Sequence, residues 1–318
     1  MSLTQLLRGK RSPSLKTQNP AAPPTLIRLN GRLSSSSRAI ERLMTGNITQ
    51  RFSRFHWFRQ SYSWIRRMQQ KFDRTTGQTA VTPRISSVSL DSDPSAIVSE
   101  VRHRAVAFGL QIPETTVCAC LDYATRTACT EPGYPRPFFI GELDETGRLP
   151  DGHRPLRALV CDAETCPEIA AVVRDGQLLQ IASTYLGYFP TQITSHLTWS
   201  LASDLPDAEL RQSYPPTNYH YDIAGYNFAT AYFYITPTLD AESGPHVMVP
   251  ESHHHKPLRM LLKSGRHSDA AIETYYGRDN ELVIYGDAGF GFFQDPSCFH
   301  KLKAPTKGHR LLLQVRYS

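Results

Sequence analysis

His220-Tyr221-Asp222, answered after a long gap by His300 and then Arg310, constrains this chain more than any other feature. In an extended strand residues i and i+2 project to the same face, so His220 and Asp222 can reach one ion together. A third ligand must then come from a strand distant in sequence but folded alongside. Two imidazoles and one carboxylate hold one face of an octahedral ferrous ion and leave three positions open for a co-substrate and dioxygen. A chain that completes this set needs a β-rich core whose last strands return to its earlier ones.

The end of the chain offers such a return. Phe299–Leu302 reads as one strand and Arg310–Tyr317 as the next, with turn chemistry at Ala304-Pro305-Thr306-Lys307-Gly308 between them. A hairpin centred on Pro305 would set His300 opposite Arg310. A guanidinium there suits a dicarboxylate such as 2-oxoglutarate, because its planar fork pairs with a carboxylate at two points. Taken singly these pieces are ambiguous, and a lone His-x-Asp is more often structural. Their order and β-rich setting give them force.

On these residues the segment Asn218–Ser318 resembles the phytanoyl-CoA dioxygenase family of iron(II)- and 2-oxoglutarate-dependent oxygenases. The matching pieces are Tyr219–Asp222, the strand Phe228–Thr236, Gly244–His253, Gly286–Gly291, and Phe299-His300 through Arg310. A looser match extends back to about residue 93. The resemblance implies a mainly β fold with flanking helices, built on a double-stranded β-helix (jelly-roll, cupin-like) core. It implies that His220, Asp222 and His300 bind Fe(II), that Arg310 binds 2-oxoglutarate, and it admits ascorbate. The implied reaction is hydroxylation of a small-molecule, lipid or sugar-linked substrate by dioxygen, with release of succinate and carbon dioxide. Related halogenases replace the carboxylate ligand with a small residue, and the presence of Asp222 favours oxygenation. Glu251 stands where the family often has Gly, and Thr230 where many relatives carry Lys.

The net charge of +6 conceals a division. Residues 1–85 hold 16 basic residues against Glu41 and Asp73, and the remainder holds 19 basic against 27 acidic. The chain therefore reads as a basic N-terminal extension, 1–85, joined to an oxygenase domain, 93–318. Residues 1–47 are rich in Ser, Pro and Arg and lack the apolar clusters of a packed core. Their composition also fits a mitochondrial transit peptide, whereas no apolar stretch marks a secretory signal. No apolar run is long enough to span a membrane, so the expected location is cytoplasmic.

Within the extension an amphipathic helix is expected near 47–74. Phe52, Phe55, Tyr62, Ile65 and Phe72 recur at helical spacing, with Arg51, Arg54, Arg59, Arg66, Arg67, Lys71 and Arg74 around them. Such a helix either docks its aromatic face on the catalytic domain or lies peripherally on an anionic membrane. No nucleic-acid motif accompanies it. Residues 75–93 read as a linker, Ser95–Phe108 and Pro113–Arg126 as helices, Glu131–Pro155 as loop, and Pro167–Arg174 and Gln177–Leu186 as helices. From Thr191 onward short apolar or alternating runs indicate strands.

The six cysteines lack paired zinc spacing and read as scattered reduced thiols, with Cys298 close enough to His300 to line the pocket or suffer oxidation. His253-His254-His255 reads as a polar loop, because consecutive strand residues point to opposite faces. Trp199 and Tyr232 are expected in the core or on the pocket wall. Two alternatives to the oxygenase stand: a cupin-like metal enzyme without 2-oxoglutarate, which leaves Arg310 without a purpose, and a non-catalytic jelly-roll binding module.

Overall fold

Alternation along the strands builds the molecule. In the last strand Leu311, Leu313, Val315 and Tyr317 face one way and enter the main apolar core, while Arg310, Leu312, Gln314 and Arg316 face the other. Ile193–Ser200 does the same, with Leu197 and Trp199 in the core and His196, Thr198 and Ser200 opposite. A period of two with opposed chemistry forces a sheet that is apolar on one face and largely polar on the other.

A computed structural model describes residues 51–72, 86–223, 225–262 and 266–318. Expectations for residues 1–47 and for most of the 75–93 linker lie outside the described residues. One compact unit spans Asn47–Ser318. Its strands begin with β1 (Ser89–Leu90), β2 (Val106–Gln111), β3 (Cys129–Thr130) and β4 (Arg157–Val160). The central set follows as β5 (Ile193–Ser200), β6 (Tyr219–His220), β7 (Ala229–Tyr234), β8 (His246–Met248) and β9 (Arg266–His267). It ends with β10 (Leu282–Ile284), β11 (Phe290–Gln294), β12 (His300–Leu302) and β13 (Arg310–Tyr317).

These strands form two antiparallel sheets, ordered β1-β2-β11-β7-β13-β5-β4-β3 and β10-β8-β12-β6-β9. From β5 onward the chain passes back and forth between them: β5, β7, β11 and β13 lie in the first sheet, and β6, β8, β10 and β12 in the second. That winding is the double-stranded β-helix, a jelly roll with its functional cavity between the sheets. Helices cover the outer face of the larger sheet. They are α1 (His56–Phe72), α2 (Pro94–Arg104), α3 (Glu114–Arg126), α4 (Pro167–Val173) and α5 (Gly176–Leu186). Val101, Ile169, Val172, Leu178 and Ile181 from α2, α4 and α5 are fully buried in the same core as β5, β7 and β13. Burial of each such side chain stabilises by roughly 1.5–3 kcal/mol, which fixes the sheet that carries the site.

Three expectations are corrected. The helix starting near Ser95 ends at Arg104, because Ala105 turns left-handed (φ 67°) and the chain continues as β2. The turn between Phe299 and Arg310 does not close a paired hairpin. β12 pairs with β6 and β8 in one sheet and β13 with β5 and β7 in the other, so His300 lies opposite His220 and Met248, while Arg310 lies opposite Ser200. Finally, the strand bearing His220 stops there, and Asp222 follows in irregular backbone, pinned by its N–H to the Pro296 carbonyl at 2.9 Å.

Helix α1 is held to the domain by both aromatic and polar contacts. Tyr62 stacks on Tyr226 at 4.9 Å and meets Tyr188 edge-on at 5.8 Å. Between these rings Arg59 enters the protein. It donates to Asp295 Oδ2 and Asn227 Oδ1, both at 2.9 Å, and to Ser297 Oγ. Tyr185 donates its hydroxyl to the same Asp295 oxygen.

Candidate active site

β6 and β12 are direct neighbours, and their register sets His220 against His300 with ring centroids 4.3 Å apart. Asp222 completes the group: its Oδ1 lies 3.7 Å from His220 Nε2 and 4.0 Å from His300 Nε2. One ligand atom from each residue falls within 4.8 Å of the others. The tautomers are fixed by the backbone. His220 Nδ1 donates to the Asn218 carbonyl at 2.9 Å and His300 Nδ1 to the Cys298 carbonyl at 3.0 Å. Each Nε2 lone pair is thereby left facing the carboxylate, the arrangement that metal-binding histidines require. Burial pushes the His300 imidazolium down to about 4, with His220 adding to the effect and Asp222 opposing it. His300 is therefore neutral at neutral pH and able to ligate. Two imidazoles and one carboxylate fit a divalent first-row ion and match the facial triad of non-haem iron.

The second oxygen of Asp222 is occupied. Arg316 Nη2 lies 3.2 Å from Oδ2, which turns Oδ1 towards the histidines. Arg316 was not singled out from sequence, although it has the same strand parity as Arg310. That parity was the available signal.

Arg310 lies on the same cavity, about 320 Å³ in volume, whose walls include His220, Asp222, His300, Tyr232 and Gln314. Its Nη2 donates to Ser200 Oγ at 3.0 Å and its Nη1 to the Gly244 carbonyl. Both acceptors are neutral. No ion pair to a carboxylate is found for Arg310 among the described residues, and burial pulls its pKa below the ordinary value. The sheet register adds a neighbour that sequence reading passed over. Arg157 on β4 and Arg310 on β13 both lie opposite Ser200, so Arg157, Ser200 and Arg310 form one row across three strands. The Arg157 guanidinium also lies over the Tyr214 ring and has no carboxylate partner among the described residues, although the Arg157 backbone N–H donates to Glu131 Oε1 at 3.3 Å. This end of the cavity is cationic and rich in hydrogen-bond donors, chemistry that suits an anion.

The remaining sequence candidates fall into supporting places. Tyr232 lines the cavity, whereas Trp199 belongs to the core on the far side of the sheet. His246 lines the same cavity next to His300, rings 5.4 Å apart, and burial keeps it neutral. His253 and His254 both direct Nε2 at the Arg102 carbonyl, so the His run is a structural turn. The Cys298 sulfur is buried against Gln294 and its pKa is pushed up to about 12, chiefly by burial, which leaves an unreactive thiol. All six cysteines are free. Thr230 is buried with its hydroxyl unpaired. Glu251 adopts the left-handed conformation (φ 64°) that a glycine there would favour.

No family model and no curated protein matches the chain. Among solved structures it is similar to EvdO2 from Micromonospora carbonacea var. aurantiaca, at 14% identity and TM-score 0.47, over 72% of this chain and 91% of that one. It is also similar to HygX from Streptomyces hygroscopicus, with nickel, 2-oxoglutarate and hygromycin B bound, at 14% identity and TM-score 0.43, over 70% and 86%. A third is SnoN, a non-heme alpha ketoglutarate dependent epimerase from nogalamycin biosynthesis, at 14% and 0.46, over 70% and 82%. At such distances the fold assignment stands on the strand order of this chain itself.

Proposed function

We propose that this protein is an iron(II)- and 2-oxoglutarate-dependent oxygenase acting on a small molecule. The observation that carries the reading is the pairing, in one cavity, of a His-Asp-His set with a buried arginine that has no acidic partner among the described residues. His220, Asp222 and His300 would hold the metal on one face, and Arg316 would keep the Asp222 carboxylate in its ligating orientation. Arg310, with Ser200 beside it, would take the far carboxylate of 2-oxoglutarate in a two-point contact. Bound together, iron(II) and 2-oxoglutarate would reduce dioxygen to an oxidant for unactivated C–H bonds, one oxygen atom leaving in succinate as carbon dioxide is released.

The chain's own contribution is placement and exclusion. Fixed tautomers present both imidazoles without reorganisation, and buried Tyr232 and Leu312 on the wall exclude water. The carboxylate at Asp222 favours hydroxylation over halogenation. Within the class, the motifs of Asn218–Ser318 favour the phytanoyl-CoA dioxygenase family. A cupin-like enzyme without 2-oxoglutarate is disfavoured because it gives Arg310 nothing to bind.

Anaerobic titration of the iron(II)-loaded protein with 2-oxoglutarate tests the reading through the visible metal-to-ligand charge-transfer band. We expect the band in the parent protein and its loss in Asp222→Ala. Iron bound without any band would overturn the co-substrate assignment, and failure to bind iron would overturn both.

A further inference from the structure

Helix α1 has two faces, and the described residues pack against only one. Arg59 is buried and Phe58 and Tyr62 pack inward, whereas Trp57, Trp64, Ile65 and Phe72 stand outward. Trp57 is 62% exposed, Trp64 61% and Phe72 84%. Trp57 and Trp64 are two turns apart, as are Ile65 and Phe72, so the four form one stripe along the helix. The aromatic periodicity in the sequence thus divides: Phe55 and Tyr62 are partly covered, and two tryptophans outside that set take the outer surface. A contiguous apolar stripe left in solvent marks an interaction surface.

The surroundings say what covers it. No Asp or Glu occurs between Arg51 and Phe72, while Arg51, Arg67 and Lys71 are exposed there. Beside Trp64 a cavity of about 450 Å³ lies between α1 and the end of α5, lined by His56, Arg67, Arg102 and His254. No carboxylate lines it among the described residues, Asp295 lying behind Arg59 as its buried partner. Among the described residues Arg67 and Arg102 donate only to the carbonyls of Gly187 and Thr184, and no carboxylate there pairs with either charge. Burial, with His254 and Arg59 adding to the effect, lowers the His56 pKa to about 4.

We infer that this face docks on an anionic phospholipid membrane, with Trp57, Trp64, Ile65 and Phe72 in the interfacial layer and Arg67 and Arg102 on headgroup phosphates. Indole rings suit that layer because one edge is apolar and the other donates a hydrogen bond. Basic side chains beside an apolar stripe are the general composition of an interfacial helix. Among the described residues no helix is long and apolar enough to cross a membrane, so the contact is peripheral. Single-stranded nucleic acid would also meet cations and aromatic rings, but the aliphatic Ile65 in the stripe favours lipid.

The chain reports on itself. Of its three tryptophans, Trp57 and Trp64 are on the stripe and Trp199 is 5% exposed in the core. The full chain is mixed with vesicles of phosphatidylcholine alone, or of phosphatidylcholine with phosphatidylserine, and followed by co-sedimentation and tryptophan emission. We expect at least about ten-fold tighter binding to the anionic vesicles, with a blue shift. Trp57→Ser/Trp64→Ser should lose the shift and about ten-fold in affinity while keeping its thermal midpoint and its metal affinity. Should that variant misfold, Arg67→Glu/Lys71→Glu carries the same expected loss of anionic-vesicle binding. Equal binding to both vesicles would overturn the inference. So would undiminished anionic binding by the double tryptophan variant, or tight binding to a single-stranded oligonucleotide without vesicle binding.

Discussion

Arg59 and Arg310 are the same residue type at the same depth, each about 5% exposed, yet their charges are treated oppositely. For Arg59, burial opposes the charge, but Asp295 and Tyr185 outweigh it and hold the guanidinium above its ordinary pKa. For Arg310, burial prevails and the pKa falls, because its partners are a hydroxyl and a carbonyl. A buried cation without a counter-charge destabilises a fold unless a ligand supplies the charge. Arg310→Met should therefore leave the ligand-free protein as stable as the parent or up to about 2 kcal/mol more stable, while weakening 2-oxoglutarate at least about 100-fold. Urea unfolding beside a 2-oxoglutarate titration checks both. A loss of several kcal/mol with unchanged co-substrate affinity would make Arg310 a structural pin.

At the scale of elements, the segment Asp295–Cys298 connects helix α1 to the proposed metal ligands. Asp295 receives Arg59, the Pro296 carbonyl holds the Asp222 N–H, and the Cys298 carbonyl holds His300 Nδ1. Removing one member of a buried ion pair leaves the other charge uncompensated, at about 3–5 kcal/mol. Arg59→Ala should lose that much stability and also weaken metal binding several-fold at temperatures where it remains folded. Cobalt(II) titration separates the two effects, and unchanged metal affinity would show that the segment holds its shape without α1. Little of this connection was legible in the sequence, because it depends on contacts between residues far apart in the chain. What the sequence did reveal was local. Alternation in β5 and β13 showed which side chains share a face, and turn residues showed that the chain reverses after His300. They could not show that it reverses into the other sheet, since the pairing partners of β12 and β13 lie in β6, β8, β5 and β7. Ala105 illustrates the same limit, because an alanine in the left-handed conformation ends α2 without any glycine to announce it.

Across the whole molecule, buried titratable groups of opposite kinds should enclose a plateau of stability. Burial holds His253 neutral with a pKa near 4, and likewise His56, whereas the unfolded side chains bind protons near pH 6.5. Between those values the unfolded state carries more protons, so stability falls as pH drops from about 6.5 to about 4, by up to roughly 3 kcal/mol for His253. Asp295 acts in the next window down. Burial alone would raise its pKa, but Arg59 and His253 hold it well below the carboxylate range, so its contribution is present above about pH 4 and is lost on further acidification. At the alkaline side Cys120, Cys129 and Cys298 are pushed up to about 12 by burial, so unfolding there releases protons and stability declines above about pH 9. Thermal midpoints of the metal-free protein should thus change little from about pH 7 to about pH 9, apart from a small rise above about pH 8 as Lys256, lowered by burial to about 8, loses its charge, and fall on either side. His253→Gln should flatten the acid limb relative to the parent, since it removes a group that only the unfolded state protonates in that range. An acid limb unchanged by that substitution would mean that His253 does not govern it. An ion held by His220, Asp222 and His300 binds only the folded state, so saturation at about 1,000 times its dissociation constant adds about 4 kcal/mol. That increment should itself diminish with acidification, because protons compete for the same imidazoles. Metal-loaded and metal-free midpoints should therefore converge towards low pH.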